Sequence, residues 1–405
     1  MMKFSSSSLQ RANIINVSEK RVFKKRIYNF KQRLQELITQ KIKEMQSTIQ
    51  KEKANYDFID SLRFIAIITI VIEHSYMWPP SIYFQTRGEQ LIQTITMELF
   101  KFGTITFYIL AGFLIGDKIH TTTSLNYLKR RFDGTFKPWL FWIIIFLILI
   151  YADITVIYFK GGDAPAFEKP FEFFWGRIQY IIADTSFWFI LNFLGSISIL
   201  LIFRKYLYQY WLGILLGFCS IFYSINIYFE WIPSRHTTAI LGFVVYLWLG
   251  VIMNKYFQAF NSFIKKSNVW LLVFLTAITF GFSCLESLFI MDYSRLKTDP
   301  YNTLRFTNII YSLAAFLLLY KIGNIKWIKN LNPRSSTYGI HLVHYIIIVQ
   351  ILPLIFKPLH ITPEGKSSFD LVVIQYGRFL FTYVVSYILV YLINKIDRIK
   401  WIVGQ

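Results

Sequence analysis

Residues 138–159, PWLFWIIIFLILIYADITVIYF, form an apolar and aromatic run that carries one charge, Asp153. A helix needs roughly 20 mostly apolar residues to cross about 30 Å of hydrocarbon, and this run is long enough. Nine further runs of similar character flank it, at 58–78, 99–115, 187–203, 210–229, 237–253, 269–291, 304–320, 337–356 and 371–393. Polar, charged or Pro-containing breaks separate them. The composition agrees: 55% of the 405 residues are hydrophobic and only 16% are charged, which places the chain in a bilayer rather than in solution. The expected fold is therefore all-α, a polytopic bundle of about ten transmembrane helices.

The formal charge of +20 is explained by where the cations fall. If the run at 58–78 enters from the cytoplasm, the inner segments hold about 30 of the 43 Lys and Arg and the outer loops about 10. Both termini are then cytoplasmic, and no nucleic-acid partner is needed to account for the basic balance. The outer loops, among them 160–179 with Asp163, Glu168 and Glu172, carry most of the acidic residues. That composition suits a polar partner outside, although acidic loops are also simply solvated. Cys219 and Cys284 each sit in an apolar run without metal-ligand spacing and read as packing residues.

Three parts follow from this pattern: a basic cytoplasmic extension at 1–55, a membrane domain at 56–394 and a short basic tail at 395–405. Within the extension, 1–17 has the composition of a disordered segment. Residues 19–53 repeat Phe23, Ile27, Phe30, Leu34, Leu37, Ile42, Met45 and Ile49 at helical spacing, opposite Lys24, Arg26, Lys31, Arg33, Lys41 and Lys43. This is the pattern of a basic amphipathic helix on anionic lipid. A coiled coil with a second copy of the chain or with a partner helix is the runner-up, because the steps alternate between three and four.

Charges are costly inside a bilayer, so those in the runs are candidates for function. Arg63 and His74 share the first run. Eleven residues apart at about 100° each, they return to within roughly 20° of one face, separated by about 16 Å along the axis. A guanidinium near the cytosolic end can grip phosphate. A deeper imidazole can take a proton from a hydroxyl or carry an acyl group itself. The bland alternative is an Arg that snorkels to headgroups and a His that meets interfacial water. His341 and His344 share a face by their i, i+3 spacing. They lack a third metal ligand, so no metal is expected; they hydrogen-bond neighbouring helices or line the donor cavity. Glu286 is the deepest carboxyl, suited to orienting a histidine or to standing as a neutral, hydrogen-bonded acid.

Several short stretches in order resemble the acyltransferase-3 family of bacterial membrane O-acyltransferases. FIDSLRFIAIITIVIEHS (58–75) is similar to its first-helix signature, an Arg followed after ten residues by a His, here Arg63 and His74. FYILAGFLIG (107–116) resembles the end of the second helix, with Ala111 where Ser is usual. YLKRRFDGTFKPWLFW (127–142) resembles the basic loop into the third, FWFILNFLGSI (187–197) the Trp-Phe-Leu element, WLGVIM (248–253) the sixth helix, and SSTYGIHLVHY (335–345) the late Ser-Tyr-Gly-Ile-Tyr-Leu-x-His pattern. The chain departs from the pattern at Phe187, where a His is frequent, at His341, where Tyr is more usual, and at Gly134, which interrupts an Arg-x-x-Arg pair.

The resemblance implies a multi-pass protein of the bacterial inner membrane. It would move an acyl group, acetyl first of all, from cytoplasmic acyl-CoA to a hydroxyl of an extracytoplasmic or lipid-linked glycan. Acyl-CoA is then a co-substrate and no cofactor is tightly bound. Arg63 and His74 match the essential positions. Arg63, Lys129, Arg130 and Arg131 would hold the donor's phosphates while its arm threads the bundle toward His74. Tyr338, His341, His344, Glu286 and Trp188 are candidates for contact with the carbonyl or the acceptor. A non-enzymatic exporter or flippase of surface polysaccharide is the alternative, since some relatives are associated with export.

Overall fold

The computed structural model describes residues 32–33, 35–41, 56–78, 86–162, 165–294, 298–323 and 325–405. Contacts divide the chain into Met1–Tyr56 and Asp57–Gln405. In the first unit, the described part of the expected amphipathic helix is helical and exposed. Its positions 23, 27, 30, 34, 42, 45 and 49, and the stretch 1–17, lie outside the described residues, as does Asp163.

The second unit is all helical: α1 (Asp57–His74), α2 (Arg87–Glu98), α3 (Gly103–Lys118), α4 (Ser124–Arg131), α5 (Lys137–Phe159), α6 (Pro170–Asp184), α7 (Trp188–Ile202), α8 (Tyr210–Phe229), α9 (Ile240–Lys255), α10 (Phe257–Lys266), α11 (Val269–Ser294), α12 (Phe306–Ile322), α13 (Pro333–Ile346) and α14 (Ser368–Asn394). A helix occupies each of the ten apolar runs. Length and apolar composition qualify six helices as membrane spans among the described residues, or eight if the bent pairs α6–α7 (65°) and α9–α10 (91°) each count as one. α12 is a shorter apolar helix. α1 falls outside that count because Asp57, Asp60, Arg63 and Glu73 all ride on its 18 residues.

Local chemistry places the breaks. α2 opens on a capping box, in which the Thr86 hydroxyl accepts from the Glu89 N–H and the Glu89 carboxylate accepts from the Thr86 N–H. α14 opens on the same device made by Ser367 and Asp370. Two π turns, Phe132–Phe136 and Ile347–Ile351, each precede a proline, Pro138 and Pro353. Proline removes a ladder donor and crowds the carbonyl four residues back, so the helix widens there and adds one residue to the turn. The first π turn joins α4 to α5 and turns Gly134 and Thr135 toward the interior.

α3 and α9 approach backbone to backbone. A Cβ built on Gly112 would lie 1.9 Å from the Leu247 carbonyl oxygen, and one on Gly250 would lie 2.0 Å from that of Ile109. Glycines allow this because packing between spans rests on close van der Waals contact rather than on expelled water. A second core joins α1, α5, α6, α7, α13 and α14 through Ile67, Val71, Phe146, Ile181, Ile190, Ile340 and Val390. Two indoles tie it to the backbone: Trp139 donates to the Phe187 carbonyl (3.0 Å) and Trp142 to that of Ile402 (2.8 Å).

Because the side chain at Gly250 would meet rigid backbone, Gly250→Val should destabilise the fold by about 1–3 kcal/mol or more. Gly377→Ala, where nothing lies within 4 Å, should change little. Thermal unfolding of the two purified variants in detergent measures the difference.

Candidate functional site

α1 is held at both ends by polar contacts from distant helices. At its start, Arg334 at the head of α13 pairs with both oxygens of Asp60 (3.0 and 3.1 Å), and the Ser61 hydroxyl accepts from the Ile325 N–H (3.0 Å). At its end Ser75 closes the last turn, its N–H donating to the Val71 and Ile72 carbonyls (3.0 and 3.1 Å). α14 adds donors from outside: Gln375 to the Ile72 carbonyl (3.4 Å) and Arg378 to that of Ser75 (3.0 Å). These contacts fix the height and rotation of Arg63 and His74.

The two residues open into separate cavities. The Arg63 cavity, about 230 Å³, is also lined by Arg131, Arg334, Thr135, Tyr338 and His341. Among the described residues Arg63 makes no hydrogen bond or salt bridge, so its donors remain available to a ligand. Arg131 donates through Nε to the Tyr127 hydroxyl (2.9 Å) and lies over that ring. The π turn matters here, since Gly134 and Thr135 form wall where a longer helix would have presented side chains. Lys129 and Arg130 stand exposed and line neither cavity. Arg334 was not anticipated. Its only sequence signal was its place just before SSTYGIHLVHY.

The His74 cavity is larger, about 820 Å³, and is lined by charged, polar and aromatic side chains. Glu73 and Lys101 form a largely buried ion pair on its wall, and Asp184 and Asp299 add carboxylates. Trp188 stacks on His236 with ring centroids 4.3 Å apart and planes 13° apart. Burial lowers the His236 imidazole to about 4, so the ring is neutral at pH 7, and its Nε2 accepts from the Thr303 N–H (3.4 Å). The stacked pair is thus an uncharged aromatic wall facing carboxylates. His236 sits in the loop between α8 and α9, with no motif around it to mark it.

Between the cavities stand the histidines of α13. His341 borders the Arg63 cavity, and its Nε2 is buried with no hydrogen-bond partner among the described residues. His344 is fully buried at 0% exposure, its ring 5.6 Å from that of His341 and 5.2 Å from that of His74. Its Nε2 lies 3.2 Å from His74 Nδ1. The sequence suggested one passage shared by Arg63 and His74. The structure has two chambers with a histidine partition, because α13 packs directly against α1. Among the described residues no three His, Cys, Asp or Glu side chains come together as metal ligands. The arrangement can hold a polyanion at one end, polar hydroxyls at the other, and a base between.

A family model described as an acyltransferase domain matches residues 56–395. Comparison with curated proteins and with solved structures gives no match.

Glu286 lines neither cavity. Its carboxylate accepts from the Tyr228 hydroxyl and from the N–H and hydroxyl of Thr307 at the head of α12. It also lies 3.9 Å from Arg305. Arg305 is fully buried and pairs with fully buried Glu98 at 2.5 Å, whose oxygens also accept from Ser283 and Ser287. This cluster binds α2, α11 and α12 together. Removing one charge leaves the other unpaired, so Arg305→Leu should cost about 3–5 kcal/mol, while adding Glu98→Leu should recover part of it. Folded yield and melting temperature of the single and double variants, compared with wild type, give the test.

Proposed function

Since the chain belongs to the acyltransferase-3 family, we propose that it takes an acetyl group from cytoplasmic acetyl-CoA and places it on a sugar hydroxyl of an extracytoplasmic or lipid-linked glycan, in the bacterial inner membrane. In this reading residues 56–394 cross the bilayer ten times with both termini cytoplasmic. Residues 1–55 form a basic cytoplasmic extension that rests on lipid or meets a second copy or a glycan-assembly partner, and 395–405 form a basic tail.

The observation that carries the reading is the pairing of a cation-lined chamber with a polar, aromatic one at opposite ends of α1. Arg63, Arg131 and Arg334 converge where the phosphates of CoA would sit. A volume of about 230 Å³ suits the pantetheine arm and a small acyl group rather than the whole nucleotide. Lys129 and Arg130, exposed beside this chamber's wall, would meet the nucleotide's remaining charge. At the other end the Trp188–His236 wall offers a flat apolar face to a sugar ring, and Glu73, Asp184 and Asp299 offer acceptors to its hydroxyls.

His74 then removes the acceptor's proton as the oxygen attacks the thioester carbonyl; the carbon–oxygen bond forms, the carbon–sulfur bond breaks, and the thiolate leaves. The route from the Arg63 chamber to His74 runs past Tyr338, whose hydroxyl donates to the Thr135 carbonyl, and past His341, whose buried Nε2 has no hydrogen-bond partner among the described residues and would donate to the developing oxyanion. A transient acyl group on His74 is the other form of the same chemistry. Export of glycan without acyl transfer is less well supported, because a conduit needs a continuous lumen and His344 stands between two chambers.

In inside-out vesicles given labelled acetyl-CoA, His74→Ala at normal abundance should lose transfer by about 10²–10⁴-fold; retained transfer removes His74 from the chemistry. Arg131→Ala should weaken CoA binding about tenfold, the worth of one charge-assisted contact. The Lys129→Ala, Arg130→Ala pair should weaken it less. Equal losses would move the phosphate site from the chamber to the exposed loop.

A further inference from the structure

The partition between the chambers has its own hydrogen-bond logic. His344 is fully buried on α13, and both of its ring nitrogens are engaged. Nδ1 lies 3.1 Å from the Ile340 carbonyl oxygen, one turn back on the same helix. A carbonyl can only accept, so Nδ1 must carry the hydrogen, and in a neutral ring Nε2 is then a lone pair. That lone pair faces His74 Nδ1 at 3.2 Å. Two lone pairs would repel, so His74 Nδ1 must donate. The Nε2 of His74 is left as the bare, basic nitrogen, on the ring that lines the 820 Å³ chamber.

We propose that His344 is a positioning residue that locks His74 in its Nδ1–H tautomer, so that Nε2 is the atom presented to the acceptor hydroxyl. The inference rests on the catalytic reading of His74. It adds that the base is selected by a second imidazole where a carboxylate more often does this work. When His74 Nε2 takes the hydroxyl's proton, the Nδ1–H bond to His344 becomes charge-assisted and strengthens. The positive charge is then shared by two rings without leaving the site. The same proton is the one the departing thiolate needs, so acceptor, thioester and the two histidines balance as ester plus thiol with both rings returned to neutral.

The Ile70 carbonyl, one turn back on α1, also contacts the His74 ring and can only accept, and among the side chains that face the pair the role falls to His344. Glu73 is held by Lys101, Tyr345 meets His74 edge to face with ring centroids 5.8 Å apart, His236 is engaged by the Thr303 N–H, and the rings of His341 and His344 have centroids 5.6 Å apart. Among the described residues the hydrogen bond to the His74 ring from another side chain comes from His344. The local geometry is also stiff, since Gln375 and Arg378 hold the backbone on either side of His74.

The tautomer can be read without turnover. Full-length protein labelled with ring-¹⁵N histidine in lipid nanodiscs, with His74 assigned by its loss in His74→Gln, should show a protonated, pyrrole-type Nδ1 and an unprotonated, pyridine-type Nε2. In His344→Phe this preference should collapse toward a mixture. A wild-type His74 protonated at Nε2, or a pattern unchanged in His344→Phe, overturns the proposal. Kinetics supply the second arm, with labelled acetyl-CoA and the envelope glycan of the vesicles as probes. His344→Phe should lower kcat about 10²-fold with KM for acetyl-CoA unchanged, and His344→Gln, whose amide oxygen can accept from His74 Nδ1–H, should recover to within about tenfold of wild type. Gln no better than Phe, or full activity in Phe, counts against His344. If wild type itself transfers no acetyl group, the functional reading fails, and the nitrogen spectra still decide the tautomer.

Discussion

A helix that carries Asp60, Arg63, Glu73 and His74 into an apolar bundle is stable only if its polar groups are answered, because an unpaired charge or donor in that medium costs several kcal/mol. α1 meets this constraint through partners far away in sequence. Arg334 answers Asp60, Lys101 answers Glu73, His344 answers His74, and Gln375 and Arg378 take the last carbonyls. Arg63 alone of the four lacks a hydrogen-bonded or ion-paired partner among the described residues, and it faces a chamber. Satisfaction of the others is what allows one cation to be left over for a ligand.

The buried cluster of Glu98, Arg305 and Glu286 obeys the same constraint to a different end. Its charges close on one another and on Ser283, Ser287 and Thr307, leaving nothing aimed at a cavity. Such a network contributes registry between helices rather than chemistry, and its net worth is small beside the cost of breaking it. Depth in the membrane therefore does not separate functional from structural charge. The distinction lies in whether a donor or lone pair remains unspent.

This explains how far the residues could be read by themselves. The helices were legible because apolar length is a local property, and the shared face of Arg63 and His74 was legible because eleven residues nearly complete three turns. The basic loop was read less well. Three consecutive cations on one regular helix turn by about 100° each and cannot share a face, and Arg131 faces the chamber while Lys129 and Arg130 face out. Arg334 was missed for another reason: its partner Asp60 lies 274 positions away, and no spacing rule reaches that far. Glu286 offered two readings, an orienter of histidine or a hydrogen-bonded acid, and its hydrogen bonds to Tyr228 and Thr307 beside buried Arg305 are visible only once the helices are packed. The site residues stand as proposals that the two chambers support.

The partition has a further physical justification. A thioester presented across a bilayer is exposed to water if the two sides share one wet passage, and hydrolysis would then compete with transfer. Fully buried His344, with His341 beside it, interrupts such a passage while leaving polar atoms that a reacting group can use. Apolar residues would seal the gap equally well but could neither orient His74 nor stabilise charge as it develops. A pair of imidazoles does both, because each ring is a nearly flat, close-packing body with one donor and one acceptor. In the proposed reading His344 thus serves both the seal and the base, and the cost of burying it is offset by the bonds it makes to the Ile340 carbonyl and to His74.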